Sequence, residues 1–242
     1  MMDRLSPAQR PSGSAAGYQT WRSLLFLHWP VAPEIMRPLV PAQLSLDLYQ
    51  GEAYVGLVPF LMQSVRPRWW PARWGFNFLE TNVRTYVHYR GRPGVYFFSL
   101  DASSRIAVWT ARTGWGLPYY YADMQHSREG AVRSYTTRRQ GRHPLSHVRI
   151  RVGQRLGPSP PGTIEHFLLE RYLLFVARRQ HIEVGQVHHA PYDAHQAEVL
   201  EVEDELIQAA GLPAPGGPPP YAHYAPGVDV AVFSLRACGP DP

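Results

Sequence analysis

Apolar and polar residues alternate along much of this chain, which is the period of strands with one buried face. Leu44, Leu46 and Leu48 alternate with Ser45, Asp47 and Tyr49, Gln50-Gly51 supplies a turn, and Ala53 to Met62 returns as a more fully apolar strand. That pattern predicts a hairpin over residues 44–62. Phe76 to Tyr89 reads as one long strand, with Val83, Thr85, Val87 and Tyr89 on one face. Glu80, Asn82, Arg84, Tyr86 and His88 fall on the other. Further strands are expected at Trp21 to Pro30, Val95 to Leu100, Tyr119 to Ser127, Ala131 to Arg139, His147 to Val152, Tyr172 to Ala177, Ile182 to His188, Val199 to Val202 and Val228 to Leu235.

Helical signals are short by comparison. Val31 to Leu39 fits a short helix with Pro33 in its first turn, and Asp101 or Ser103 can cap another that Gly114 stops. Thr163 can cap a turn running through Phe167 and Leu169, and Asp204 to Ala210 ends at Gly211. Many strands, few short helices and no regular βαβ alternation predict a β-dominated α+β barrel or sandwich. Residues 1–17, rich in Ser, Pro, Gly and Ala, read as a disordered leader, and 18–242 as a single domain.

Composition sharpens this picture at three points. Aromatic residues make up 12% of the chain, including seven Trp and fourteen Tyr, a supply that suits a barrel interior or a pocket. The 24 basic residues are all arginine. Without a lysine there is no ε-amino group for imine chemistry, because guanidinium stays protonated. The single cysteine, Cys238, rules out an intramolecular disulfide and a multi-cysteine metal site. The net charge of +5 is spread without a basic run, so a nucleic-acid tail is not indicated. No apolar run reaches membrane-span length, and the N-terminus lacks the apolar centre of a signal peptide. A soluble, cytoplasmic protein is the expectation.

The candidate chemistry gathers around Thr113 to Gln125, where two glycines and a proline redirect the chain into three consecutive tyrosines. Tyr119 and Tyr120 point to opposite faces of a strand, so one can donate a hydrogen bond inside a pocket while the other decorates the surface. Glu80 and Arg84, four apart on one face, form either a carboxylate-and-anion-binding set or a structural ion pair. His28 is either a pocket lining or a satisfied core histidine. Arg171, in Glu170-Arg171-Tyr172, is either a ligand-binding residue or a tie at a barrel end. His188, His189, Asp193 and His195 are metal-capable, but adjacent strand residues face apart and no metal is implied. The loop Arg66 to Gly75 mixes tryptophans with arginines; it suits a cover over a barrel mouth or a partner contact better than nucleic acid or a membrane surface.

The segments F-L-H-W-P (26–30), N-V-R-T-Y-V (82–87), G-L-P-Y-Y-Y-A-D-M (116–124) and E-H-F-L-L-E-R-Y (165–172) resemble the DUF2071 (YqjF-like) family, a branch of the acetoacetate decarboxylase-like superfamily. The resemblance covers about residues 20–236 and implies a closed, cone-like antiparallel barrel with an internal pocket. It sets Tyr119 and Tyr120 where the superfamily's G-x-P-K-K motif has two lysines, the first of them the Schiff-base residue. It also makes Glu80 the counterpart of an acidic pocket residue. The implied ligand is a small carboxylate or carbonyl compound such as an oxo-acid, held by His28, Arg84, Tyr120 and Arg171. Glu80 and Tyr119 would then be the acid–base pair, with no cofactor. A non-catalytic ligand sensor or interaction module is the alternative, and a homo-oligomer is possible.

Overall fold

The computed structural model describes residues 2–140, 143–179 and 181–238. In chain order the elements are β1 (Gly17–Val31), α1 (Pro33–Met36), β2 (Ser45–Leu46), β3 (Ala53–Pro67), β4 (Phe76–Tyr89), β5 (Arg92–Ala102) and α2 (Arg105–Gly114). They continue with β6 (Tyr119–Glu129), β7 (Val132–Arg139), β8 (Leu145–Gly157), α3 (Ile164–Leu169), β9 (Leu173–Ala177), β10 (Ile182–His188), β11 (Ala194–Asp204), α4 (Leu206–Ala209) and β12 (Tyr221–Ala237).

All described strands belong to one sheet, ordered β10-β9-β5-β6-β7-β8-β11-β12-β1-β3-β4-β2. Two extra pairings, β10–β12 and β5–β4, make that sheet return on itself, which removes most of its free edges. Pairing is antiparallel apart from β5–β6 and β5–β9, which run parallel. The β5–β6 crossover is carried by α2, as a parallel connection requires.

Alternation along the strands sorts the core into two faces. Leu25, Leu27, Val55, Leu57, Val83 and Val87 join one buried cluster with Tyr135, Val148 and Ile150. Leu24, Phe26, Val58, Phe60 and Tyr86 join another, to which β5, β9, β10 and β12 add Val95, Leu174, Val187, Val228 and Val230. The second cluster lines the ring formed by β1, β3, β4, β5, β9, β10 and β12, and Phe167, Leu168 and Leu169 of α3 fill one end of it. His28, Glu80 and Arg84, three of the candidate residues, are buried within this ring, the inner chamber.

Three local expectations change. The hairpin over 44–62 forms only at its tip: Gln50 and Gly51 make the turn, at φ 52 and 87, and Tyr49 pairs with Glu52 across it, but Ser45 and Leu46 pair with His88 and Val87 of β4. The reason is Asp47, whose fully buried carboxylate is drawn to Arg171 and Arg4, and whose backbone N–H donates to the Tyr86 carbonyl. The cap of α2 is Ser104, accepting from the Ala107 N–H at 3.3 Å, because Asp101 stays in β5 and the Ser103 hydroxyl accepts from the Leu79 N–H. The leader is placed on the body rather than disordered. Ser6–Ala8 form a 3-10 turn, Pro7 and Ala15 are buried, and the Gln186 amide donates to the Pro7 carbonyl at 2.8 Å.

Candidate functional site

The site is built on β4, whose inward face carries Glu80, Asn82, Arg84 and Tyr86 in succession, all of them buried. Glu80 lies opposite Phe60 and Ala102, so its carboxyl is set among apolar neighbours on both sides. Its contact is the Tyr119 hydroxyl, which donates to Oε2 at 2.7 Å. Gly116, with φ at +61, and Pro118 turn the chain out of α2, so that β6 begins at Tyr119 beside Leu100. A Cβ at Gly116 would meet only the movable end of the Arg178 side chain, so it is the positive φ that favours glycine there.

Burial pushes the Glu80 carboxyl up to about 7, against hydrogen bonds from Tyr119 and Asn82 that act in the opposite direction. Burial and the neighbouring carboxyl together hold the Tyr119 phenol well above its ordinary value, so it remains a proton donor. A carboxyl poised near neutrality and touching a neutral phenol is an arrangement suited to moving or sharing a proton.

Arg84 occupies the α3 end. Its Nη2 donates to the Leu168 carbonyl at 3.2 Å, and its guanidinium rests over the Phe26 and Tyr86 rings at 5.6 and 5.7 Å. Glu80 and Arg84 do not pair, and among the described residues Arg84 has no carboxylate partner. Its Nε is buried and unpartnered, as is the Oδ1 of Asn82 one inward position away. His28 completes this end. Tyr86 donates its hydroxyl to the Leu168 carbonyl at 2.7 Å and stands 2.6 Å from His28 Nε2. Since the phenol has one proton, Nε2 must be the donor to it, which leaves Nδ1 as a buried lone pair without a partner. Burial, and then the charge of Arg84, keep this imidazole well below its ordinary value and therefore neutral. Gly56 on β3 makes the crowding possible, since a Cβ there would lie 3.0 Å from the His28 ring and 3.5 Å from Arg84.

The other candidates are placed elsewhere. Arg171 donates to Asp47 at 2.6 Å and stacks on Tyr86 and Phe167, so it ties α3 to the β2 region. Tyr120 turns outward; it is exposed, at 38%, with the Arg139 guanidinium 3.9 Å over its ring. The four metal-capable residues go to separate partners. His188 faces the Ala8 carbonyl, His189 lies between Tyr172 and Tyr192, Asp193 pairs with Arg155, and His195 packs on Tyr224. Sequence reasoning missed Asn82, Tyr86 and the Asp47 partner of Arg171. The inward period of β4 carried a signal for the first two, and Gly56 inside an apolar strand carried a signal of close approach.

The ring-like, β-dominated sheet with a few short helices is the fold of the acetoacetate decarboxylase-like proteins. The enduracididine biosynthesis enzyme MppR complexed with pyruvate superposes with a TM-score of 0.69 at 12% identity, covering 96% of this chain and 93% of that one. Acetoacetate decarboxylase from Legionella pneumophila gives a TM-score of 0.68 at 14% identity, covering 98% and 94%. Within that fold the chain belongs to the DUF2071 family of uncharacterized conserved proteins, whose model matches residues 18–229. The uncharacterized protein YqjF of Bacillus subtilis (strain 168) is 38% identical over 228 residues, 93% of this chain and 94% of that protein.

Proposed function

We propose that the inner chamber binds a small oxo-acid or similar anion, with its carboxylate on Arg84 and its carbonyl end near Glu80 and Tyr119. The observation that carries this reading is a buried guanidinium with no carboxylate partner among the described residues. Burying a charge is costly unless an opposite charge meets it, and an anionic ligand supplies one. The unpartnered Nε of Arg84 and Oδ1 of Asn82 offer a donor and an acceptor on the same face. Four residues of extended strand separate Glu80 from Arg84 by about 13 Å between Cα atoms, so an acid engaging both is elongated.

The chemistry that fits is acid–base work beside a carbonyl. Glu80, with its proton affinity raised to about 7, is the base, and the Tyr119 hydroxyl is the proton or oxyanion donor. A phenol cannot serve as the electron sink that an imine provides, and the chain has no lysine to form one, so a Schiff-base decarboxylation is not part of the proposal. A ligand sensor using the same chamber is the second reading. It is favoured by the enclosure of Glu80, at 3% exposure, in an interior that lacks a nucleophilic amine.

The test is calorimetry and thermal shift with pyruvate, acetoacetate and levulinate against wild type and Arg84→Ala. Saturable stabilisation that Arg84→Ala abolishes supports the anion chamber, and a preference for levulinate supports the elongated pose. Turnover lost in Tyr119→Phe with binding retained selects the enzyme over the sensor. No stabilisation by any of the three acids would overturn the reading.

A further inference from the structure

We propose that the groove between the leader and the loop after β3 is a second binding site, for a small planar aromatic anion. It is open to solvent, offers about 430 Å³, and is lined by Arg10, Gly13, Tyr18, Arg68 and Trp69, among others. That volume lies within the range of small-molecule sites, roughly 300–1,000 Å³. It is separate from the inner chamber, shares no residue with it, and does not depend on the chamber's proposed function.

The groove has a fixed floor. Ala16 donates to the Val232 carbonyl at 2.8 Å and Arg68 donates to the Ala16 carbonyl at 3.0 Å, so leader, β12 and loop are pinned together at the base. Tyr18 is held beneath Arg66, whose guanidinium lies 5.4 Å above its ring. Trp69 leans on Trp70 at 5.3 Å, and Trp70 in turn on Trp74 and Phe76, yet Trp69 itself remains 73% exposed. An indole braced from one side and open on the other is a stacking platform.

The charged residues that line the groove, Arg10 and Arg68, have one sign, and Asp229 of β12 is paired with Arg22. Arg4 to Pro33 and Ala53 to Leu79, the two segments that form the walls, contain no Asp or Glu. Among the described residues neither Arg10 nor Arg68 has a carboxylate partner, and Arg10 rests on the Phe233 ring at 5.6 Å. Two guanidiniums facing one cleft favour a carboxylate or phosphate, which each can grip through paired N–H donors. Gly13, Ser14 and Ala15 add small side chains to the lining, so a flat ring can approach the backbone there. The ligand class that meets all of these features combines a flat ring with an anionic group, whether a nucleotide or an aromatic carboxylate.

The experiment titrates full-length protein with AMP and with 2-naphthoate, reading tryptophan fluorescence and calorimetry, with adenosine and inorganic phosphate as half-ligands. The expected result is saturable binding of AMP or 2-naphthoate, with each half-ligand of AMP at least about tenfold weaker than AMP. Arg68→Ala and Trp69→Ala, both exposed positions, should each weaken binding by about tenfold, and Arg84→Ala should leave it unchanged. Which of the two probes binds separates the nucleotide from the aromatic carboxylate. Binding by neither, binding indifferent to both groove substitutions, or phosphate binding as tightly as AMP would overturn the proposal. So would a ten-residue oligothymidylate that binds far more tightly than either probe, since that outcome assigns the groove to single-stranded nucleic acid.

Discussion

Asp47 and Glu80 are both buried carboxylates near the inner face of β4, and their surroundings are opposites. Asp47 accepts from Arg171 and, with both oxygens, from Arg4, at 2.6 Å in each contact. Among the described residues Glu80 meets no arginine; its partners are a phenol and an amide. The arginines divide in the same way, for Arg171 has Asp47 while Arg84 has a carbonyl and two aromatic rings. At the Asp47 end, a carboxylate held between two guanidiniums ties α3 and the leader in place. Unmatched charge at the Glu80–Arg84 face is the state in which a group can change protonation or take up an anion.

The comparison can be broken most directly at Asp47. Asp47→Ala removes the counter-charge of a guanidinium that is 3% exposed, and breaking a buried pair in this way costs about 3–5 kcal/mol. Urea denaturation of wild type, Asp47→Ala and Asp47→Asn would measure it. A loss below about 1 kcal/mol, the usual size for an exposed pair, would place this contact in the same class as the surface ion pairs and remove the contrast.

Glu80 sharpens the other side through pH. Its folded value, about 7, lies above the ordinary 4.5, so the folded protein holds this proton more tightly than the unfolded chain does. Stability from this group is full below the unfolded value and is lost as pH rises through about 7. The upshift corresponds to about 3 kcal/mol between the two limits, an order-of-magnitude figure for an enclosed carboxyl. Glu80→Gln cannot ionise and should therefore gain stability relative to wild type on moving from pH 4 to pH 8. Denaturation of both proteins at the two pH values gives the difference, and the subtraction cancels the contributions of Glu170 and Asp204, whose carboxyls burial also raises, while the coupling of Glu80 to the Asp101 charge stays in the difference. Equal pH dependence in the two proteins would mean that Glu80 is not poised.

Much of the Glu80–Arg84 face was legible in the sequence, because a strand's period of two assigns faces without reference to distant contacts. Glu80, Asn82, Arg84 and Tyr86 were grouped on one side of β4, and the structure places all four inward. The Tyr119 contact rested on the resemblance at G-L-P-Y-Y, since no local pattern tells which of two adjacent tyrosines turns in. The Asp47 end was not legible. Its leucine alternation and Gln50-Gly51 turn mimic a hairpin, while the deciding contacts lie 43 and 124 residues away, at Arg4 and Arg171. Long-range charge pairing leaves no period in the sequence, and here it overrides a local preference worth less than a buried ion pair.

The smallest expected effect separates the two arginines that share Asp47. Arg4 is 27% exposed where Arg171 is 3%, so water already screens part of its charge. Losing Arg4 also leaves Asp47 with one arginine, a balanced pair, whereas losing Asp47 leaves two cations and no anion. Arg4→Ala should therefore cost only about 1 kcal/mol, within the range for partly exposed pairs. The Gln186 bonds to the leader carbonyls of Pro7 and Gln9 should keep the segment attached, so amide exchange at Ala8 and Gln9 would rise only modestly. If Arg4→Ala instead matched Asp47→Ala, the leader would be an integral part of the chamber wall. The Asp47 end of the molecule would then be a three-membered charge cluster rather than a buried pair with an outer clasp.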